Sequence, residues 1–211
     1  KGRAPSQFPD LRGFPRAGNR LLLILIIFAR LTTTMENETN LFHNISPGPK
    51  PPQEIHCLVE IPKGGSNKYE YDKDLGVFKL DRALYGAVFY PTEYGFIPQT
   101  WADDNDPLDV MVLSTFTTFP GCLLKANPIG LLDIIDSGEL DSKIISVASN
   151  DPRFEDTKNL EDLNTHFKKE ITNFWKNYAE LQPEKKIEIE SWKGIEEAEE
   201  TIKKAIRTYK K

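Results

Sequence analysis

Short apolar segments separated by turn residues occupy residues 55–148, and this pattern constrains the fold more than any other feature of the sequence. The segments are IHCLVEI (55–61), KYEY (68–71), VFKL (77–80), AVFY (87–90), DVMVL (109–113), IGLLDII (129–135) and KIISVA (143–148). Runs of this length, rich in β-branched and aromatic residues, are typical of β-strands. Because they are short and regularly spaced, they predict a sheet that closes or nearly closes into a β-barrel.

The C-terminal part of the chain changes to a helical pattern. Between residues 163 and 178 the apolar side chains recur mostly in steps of three and four, at Leu163, Phe167, Ile171, Phe174, Trp175 and Tyr178. This periodicity puts them on one helix face, which we interpret as core packing for all but Tyr178. A short strand IEIESW (187–192) and a second helix (195–209) follow. The predicted fold is mainly β (α+β): an OB-like closed β-barrel of short strands flanked by two C-terminal helices.

The first 34 residues differ from the rest of the chain in charge. They contain six basic residues and one acid, and they include the apolar segment LLLILIIFA (21–29). Nine apolar residues are too few for a membrane span, which needs about 20. We interpret residues 1–34 as a leader, disordered or not native to the protein. A targeting segment and a membrane anchor stay open as alternatives.

Proline dominates a segment that follows. SPGPKPPQ (46–53) contains four prolines and one glycine, so it cannot form a helix or a central strand. The sequence therefore predicts three parts: the leader (1–34), an extended arm (35–54), and a barrel domain with its C-terminal helices (55–211).

Composition narrows the classes of function. The 211 residues carry a formal net charge of −5, which disfavours non-specific binding to nucleic acid. We expect a cytoplasmic protein with neither a nucleic-acid nor a membrane partner. Only two cysteines occur, Cys57 and Cys122. We expect both to be buried, reduced thiols rather than a disulfide.

Three aspartates stand close together in DDNDPLDV, at Asp104, Asp106 and Asp109. The turn residues Asn105 and Pro107 make this segment a loop that enters a strand, so the three carboxylates can converge on one point. Ionised carboxylates held together repel one another, and a hard cation such as Mg²⁺, Mn²⁺ or Ca²⁺ would neutralise them. A solvated acidic turn is the alternative. An EF-hand does not fit, because it requires a glycine where Asp109 stands.

A second acidic set lies in DIIDSGELDSK, between two predicted strands. Asp136 and Asp141 can lie side by side across a hairpin whose turn contains Gly138, and Lys143 adds a cation beside them. Alone, such a segment is an ordinary polar hairpin tip. Together with the first cluster it indicates more than one metal ion.

A third set lies in EIPKGGSNKYEYDKDLGVFKLDR. Lys68 and Glu70 are two residues apart, so on a strand they point to the same face, and Glu60 and Arg82 fall on neighbouring predicted strands. Lys68 and Arg82 are candidates for phosphate binding, since a guanidinium can make two parallel hydrogen bonds to phosphate. Glu60 and Glu70 are candidate metal ligands. The alternative is a set of surface ion pairs that contribute little to stability.

Two tyrosines, Tyr90 and Tyr94, lie in the segment FYPTEYGFIP. Their phenols could donate hydrogen bonds to phosphate oxygens. Buried structural tyrosines are the usual alternative.

These motifs occur in one order, and that order resembles family I soluble inorganic pyrophosphatases. The matching segments are EIP with the later KYE, then DR, FYPTEYG, DDNDPLDV and the hairpin with its two aspartates and lysine, over residues 41–210. The resemblance implies Mg²⁺-dependent hydrolysis of pyrophosphate to two orthophosphates. It also implies several Mg²⁺ per active site, with Mn²⁺ as an alternative, and a homo-oligomer, specifically a hexamer.

The resemblance implies a role for each matching residue as well. Asp104, Asp109 and Asp141 would hold a pair of Mg²⁺ ions, with Asp109 bridging them. Asp106 would be the general base that takes a proton from the attacking water. Further Mg²⁺ would bind at Asp136, Glu70 and Glu60. The phosphoryl groups would be held by Lys68, Arg82, Tyr90, Tyr94, Lys143 and Tyr178.

Two positions depart from the family pattern. The family commonly has a lysine after the tyrosine near the end of the first helix, whereas this chain has Ala179 after Tyr178. One phosphate-binding charge is therefore missing, and Lys176 and Lys185 are candidates to replace it. Ser137 stands where many members carry an acid, which weakens the expectation of one secondary metal contact.

Two other functions stay open at the level of sequence. A non-catalytic metal- or phosphate-binding protein would agree with Ala179, but the retained acids and cations argue against it. A metal-dependent phosphatase or nuclease that acts on larger phosphoesters is the second. The net negative charge and the lack of a basic stripe disfavour a nucleic-acid substrate.

Overall fold

The computed structural model describes residues 40–209 of the chain, so the predicted leader (1–34) lies outside the described residues. Within them the helices are α1 (Leu41–Asn44), α2 (Thr165–Tyr178) and α3 (Ile195–Thr208). The strands are β1 (Ile55–Ile61), β2 (Asn67–Asp72), β3 (Val77–Ala83), β4 (Glu93–Phe96), β5 (Asp109–Leu113), β6 (Leu123–Asp136), β7 (Glu139–Ala148) and β8 (Ile187–Lys193).

Five of these strands close into a ring. The order along the sheet is β1-β4-β5-β7-β6, and β6 pairs back with β1 through the register Cys57↔Leu124. β5 and β7 are parallel, whereas the other pairs in the ring are antiparallel. β8 extends the sheet beyond β6, and β2 and β3 form a separate antiparallel hairpin. The prediction of an OB-like closed β-barrel is confirmed.

One strand was placed wrongly by the sequence pattern. AVFY (87–90) is not a strand, and the chain pairs instead at β4, which follows directly. The pattern of β4 is hard to recognise because it contains a buried glutamate, Glu93, and Gly95. A Cβ added at Gly95 would lie 2.0 Å from the Leu58 carbonyl oxygen, so only glycine permits β4 to approach β1 this closely. Phe89, in the rejected segment, is exposed.

The helices cover the barrel on two faces. Along β5 the side chains alternate: Met111 and Leu113 lie in the cluster that contains α2, whereas Val110 and Val112 lie in the cluster that contains α3. Because both faces of β5 are buried, its sequence is a continuous apolar run rather than an alternating one. The two predicted C-terminal helices are confirmed.

The predicted extended arm contains a helical turn. α1 falls at its start, where the Asn40 side chain accepts hydrogen bonds from the Phe42 and His43 N–H groups. Phe42 is fully buried and packs with Leu58 and Phe96. The proline-rich residues 46–53 form neither helix nor strand, apart from an isolated bridge at Lys50. The division into leader, arm and barrel domain stays a prediction.

Both cysteines are free thiols. Cys57 is buried, as predicted, but Cys122 is only half-buried. Among residues 40–209, no helix is long and apolar enough to cross a membrane.

Candidate active site

A cavity of about 500 Å³ opens beside the ring of strands, and its lining is strongly charged. All of the predicted site residues except Arg82 line it: Glu60, Lys68, Glu70, Tyr90, Tyr94, Asp104, Asp106, Asp109, Asp136, Asp141, Lys143 and Tyr178. Residues separated by more than 100 positions in the chain therefore meet in one place.

The centre of the cavity is a lysine held between two carboxylates. The parallel register of β5 and β7 sets Val110 beside Ile144, which places Asp109 and Lys143 at the same end of the two strands. The Lys143 Nζ donates to Asp109 and, at 2.6 Å, to Asp141 Oδ1. Its side chain is only 3% exposed. A buried lysine of this kind is stable because both carboxylates offset the loss of hydration.

One positive charge does not balance the negative charges of two half-buried carboxylates. Burial raises the pKa of Asp141; Lys143 lowers it, and Asp109 raises it further. Burial lowers the pKa of Lys143, but the two carboxylates outweigh that effect and raise it overall. The Tyr94 hydroxyl donates to Asp109 Oδ2 at 2.6 Å and relieves part of the imbalance. The centre still holds an excess of negative charge that a further cation would neutralise.

The loop before β5 carries Asp104 and Asp106 at the rim. The Asp106 N–H donates to Asp104 Oδ1 at 2.9 Å, and Asn105 between them has a φ of 63°. The Asp106 carboxylate accepts from Lys73 and is 69% exposed. Lys73 lies 5.0 Å from the centre of the Trp101 ring. Asp106 is therefore a solvent-accessible carboxylate with a cation beside it.

The predicted convergence of Asp104, Asp106 and Asp109 on one point is only partly met. All three line the cavity, but no group of three acidic, histidine or cysteine side chains within the described chain gathers into a metal centre. Lysine side chains contact the carboxylates instead: Lys73 at Asp106 and Lys143 at Asp109. The available donors are carboxylate oxygens, which hard cations such as Mg²⁺ prefer. The chemistry of the donor set thus fits the expected metal.

The β1 and β2 strands supply another part of the cavity wall. Lys68 Nζ donates to Glu70 Oε1 at 2.5 Å, so these two side chains share a face as predicted. Burial raises the pKa of Glu60 to about 8; the Tyr71 N–H, which donates to Glu60 Oε1 at 2.7 Å, lowers it, and Asp109 raises it. A half-buried carboxylate in this state is one that a bound cation would stabilise in its charged form.

Arg82 is the predicted site residue that does not line the cavity. Its guanidinium lies behind Tyr178, where Nη2 donates to the Tyr178 hydroxyl at 2.9 Å and Nη1 donates to Asp81. Within the described residues, Arg82 Nε is buried without a hydrogen-bond partner. In this arrangement Arg82 supports Tyr178 and keeps one donor unused.

The hairpin of β6 and β7 arranges its acids differently from the simplest prediction. Asp136 pairs with Glu139, and Asp141 pairs with Ile134. Asp136 and Asp141 are thus diagonal neighbours on one face rather than direct cross-strand partners. Asp136 Oδ1 accepts from the Ser137 hydroxyl at 3.0 Å, and its other oxygen contacts Lys185 at 2.6 Å.

The cavity is also lined by residues for which the sequence pattern predicts no role in the site. Lys73 occupies the tip of the β2–β3 hairpin, where a lysine looks like an ordinary solvated turn residue. Trp175 was assigned to the core, and it does pack there, but it also borders the cavity. One feature of the sequence could have indicated a role for Lys73, because DKD (72–74) concentrates charge at a hairpin tip. For Trp175 the helical periodicity indicates only burial.

The fold and the cavity together define a class of protein. It is an OB-like β-barrel whose polar cavity combines carboxylates able to hold hard cations with lysines and phenols able to hold an anion.

Comparison with known proteins agrees with this class. A family model described as inorganic pyrophosphatase matches residues 57–210. An inorganic pyrophosphatase of Picrophilus torridus is 44% identical over 177 residues, which cover 84% of this chain and 99% of the relative. One from Geobacillus stearothermophilus is 48% identical over 155 residues, which cover 74% and 93%. The crystal structure of the inorganic pyrophosphatase from Thermus thermophilus has a TM-score of 0.79 at 40% identity, covering 82% of this chain and 99% of that chain. This chain belongs to the inorganic pyrophosphatase family.

Proposed function

We propose that this protein hydrolyses inorganic pyrophosphate to two orthophosphates in a Mg²⁺-dependent reaction. One observation carries the proposal: carboxylates, lysines and tyrosines from distant parts of the chain line a single cavity in a chain of this family. Pyrophosphate is a small, dense polyanion, so its site must combine negative ligands for cations with positive groups for phosphate oxygens.

The carboxylates of the cavity are the residues that would hold Mg²⁺. The proposed ligands are Asp104, Asp109, Asp141, Asp136, Glu70 and Glu60. When bound, Mg²⁺ supplies neutralisation of the phosphate charge and activation of water. Mn²⁺ would suit the same oxygen donors.

Asp106 is the proposed general base. Its carboxylate lies at the rim of the cavity, where it is exposed enough to contact a water molecule and accepts a hydrogen bond from Lys73. An ionised carboxylate can accept the proton that the attacking water loses. The Asp106 N–H donates to the Asp104 side chain at 2.9 Å, a contact that shapes the loop carrying the proposed base.

The remaining polar groups hold the phosphoryl ends. Burial lowers the pKa of Lys68, but the hydrogen bond to Glu70 and the charges of Tyr178 and Glu70 together raise it above its usual value, so Lys68 stays charged. Burial raises the pKa of Tyr90 and Tyr94 well above the usual value, so both phenols keep their protons and can donate. With Lys143, Tyr178 and Arg82 they form the proposed substrate-binding set.

Assembly and location extend the proposal. We infer a homo-oligomer, a hexamer, in the cytoplasm. Large apolar side chains on the outside of the described chain support an assembly, since such residues commonly become buried at subunit interfaces. The most exposed are Leu75, Phe116, Phe119 and Leu181. Light scattering of the purified protein at several concentrations measures the number of subunits.

Phosphate release from pyrophosphate tests the activity. We expect release with Mg²⁺, none with EDTA, and a decrease of about 10²–10⁴-fold for Asp106→Asn, which removes the base. Asp103→Asn is the matched control, because Asp103 is 78% exposed, contacts Lys204 and does not line the main cavity. We expect it to retain full activity.

The same assay separates the alternative functions. Binding of pyrophosphate without phosphate release in Mg²⁺ or Mn²⁺ would indicate a non-catalytic binding protein and contradict the proposal. Faster phosphate release from p-nitrophenyl phosphate than from pyrophosphate would indicate a phosphatase instead. Conversion of single-stranded DNA to shorter fragments, followed by gel electrophoresis, would indicate a nuclease.

A further inference from the structure

Lys185 brings another positive charge into the main cavity, from the loop between α2 and β8. Its Nζ lies 2.6 Å from Asp136 Oδ2 and 5.8 Å from the centre of the Tyr178 ring. Its side chain is 23% exposed, and Asp136 and Tyr178 line the same cavity. The ammonium therefore faces the cavity rather than open solvent.

The loop that carries Lys185 is fixed to the cavity wall. The Ser137 N–H donates to the Lys186 carbonyl at 2.8 Å, and the Lys185 N–H donates to the Gln182 carbonyl at 3.4 Å. Ile187, two residues after Lys185, begins β8 and pairs with Asp136. Backbone contacts on both sides of Lys185 thus hold its side chain at one end of the cavity.

Neighbouring positions do not place a charge there. Ala179 is 5% exposed, belongs to the core cluster around α2 and does not line the cavity. Lys176 is exposed and does not line the cavity either. The Lys186 side chain is 80% exposed and contacts Glu188. Of the lysines around the end of α2, only Lys185 faces the cavity within the described residues.

We propose that Lys185 binds a terminal phosphoryl oxygen of pyrophosphate at the Tyr178 end of the cavity. This inference rests on the proposed function and adds one substrate-binding residue to the same site.

The present partner of Lys185 does not prevent this role. Asp136 is a single carboxylate, whereas the terminal phosphoryl group carries more charge and has three acceptor oxygens. We therefore expect Lys185 to exchange Asp136 for phosphate oxygens when pyrophosphate is bound. Tyr178, supported by Arg82 at 2.9 Å, lies beside the same phosphoryl end.

The test compares Lys185→Gln with two partner variants. Lys186→Gln removes the same charge one residue away, and Lys185→Arg keeps the charge. For Lys185→Gln we expect KM for pyrophosphate to rise about tenfold or more, since a charged hydrogen bond is lost, while kcat changes by less than about threefold. Lys186→Gln should match the wild type, and Lys185→Arg should recover most of the affinity.

Binding of inorganic phosphate gives a readout that is independent of turnover. Calorimetry at saturating Mg²⁺ should show weaker phosphate binding for Lys185→Gln, by a factor similar to that in KM. Equal phosphate affinity for Lys185→Gln and the wild type would overturn the inference. A rise in KM that disappears at higher Mg²⁺ would also overturn it, since Lys185 would then act only by positioning Asp136.

The two proposals fail separately. A wild-type protein that releases no phosphate from pyrophosphate contradicts the proposed function. An active wild type whose KM and phosphate affinity do not change in Lys185→Gln contradicts only the role of Lys185.

Discussion

At the scale of single residues, charges in this cavity are shared rather than paired one to one. Lys143 contacts two carboxylates, and Asp109 accepts from both Lys143 and Tyr94. The sequence predicts which residue types meet, because spacing along a strand fixes the face on which they lie. It does not predict which carboxylate a lysine contacts. Arg82 shows this limit, since its strand position was predicted but its place behind Tyr178 was not.

Lys143→Met tests the shared lysine. The substitution keeps the length of the side chain but leaves Asp109 and Asp141 without their common cation. We expect the free energy of unfolding in EDTA to fall by about 3 kcal/mol, as when one partner of a buried ion pair is removed. Saturating Mg²⁺ should reduce this loss, because a ligand that binds only the folded state stabilises it. Urea unfolding with and without Mg²⁺ measures both effects.

Lys125→Met is the control for that measurement. Lys125 is exposed on β6, so its replacement should change stability by less than about 0.5 kcal/mol under either condition. An equal loss for Lys143→Met in EDTA and in Mg²⁺ would show that Mg²⁺ does not replace the missing cation between the two carboxylates.

At the scale of elements, strands with continuous apolar sequence were predicted well. β1 and β5 begin and end where the pattern placed them, because each is buried nearly throughout. β6 is longer than predicted, since its first residues are partly exposed and include Lys125 and Pro128. β4 was missed because its place is fixed by contact with β1, a long-range feature that no local pattern records.

Gly95→Ala tests that contact. An added Cβ would lie 2.0 Å from the Leu58 carbonyl oxygen and 2.8 Å from its carbon, and backbone atoms cannot move aside as a side chain can. We expect a loss of at least about 3 kcal/mol in unfolding free energy. Gly86→Ala is the control, because a Cβ there would have its nearest neighbours at 4.0 Å. Thermal unfolding followed by circular dichroism compares the two variants.

Asp151 connects the loop after β5 to the turn that follows β7, and this contact gives a pH-dependent prediction. Its carboxylate accepts from the Thr115 N–H at 2.7 Å and the Arg153 N–H at 3.1 Å. Hydrogen bonding from Thr115, more than the other contacts, lowers the pKa of Asp151 below its usual value of 3.8. Because the folded state favours the ionised form, this stabilisation is complete above pH 4 and is lost as the pH falls further.

Asp151→Asn should therefore be less stable than the wild type by about 1 kcal/mol at pH 7. The difference should shrink as the pH decreases below 4. Urea unfolding between pH 3 and pH 7 in EDTA measures this trend, with the exposed Asp156→Asn as the control. A difference that stays constant with pH would mean that the charge of Asp151 has no part in the contact.

At the scale of the whole molecule, the proposed site depends on closure of the ring. Each of the five ring strands contributes a cavity residue: Glu60 from β1, Tyr94 from β4, Asp109 from β5, Asp136 from β6 and Lys143 from β7. The acidic loop and the hairpin were recognisable as candidate sites because each is local in sequence. Their meeting depends on pairings between distant segments, such as β1 with β6.

Loss of activity should accordingly coincide with global unfolding. In increasing urea, phosphate release and the circular dichroism signal of the sheet are expected to decline with the same midpoint. If activity were lost at a much lower urea concentration than the circular dichroism signal, the cavity would lose its arrangement while the ring stays closed.

The pairing of β1 with β6 closes the ring, so its loss would disrupt the whole site. A β-ring has no free edge at which it can fray strand by strand, so a molecule that loses this junction loses its catalytic groups together. A partly damaged preparation should behave as a mixture of intact and inactive molecules, in which KM is unchanged while the total rate declines. Damage would therefore reduce the fraction of active molecules, while the molecules that stay folded would keep their KM and kcat.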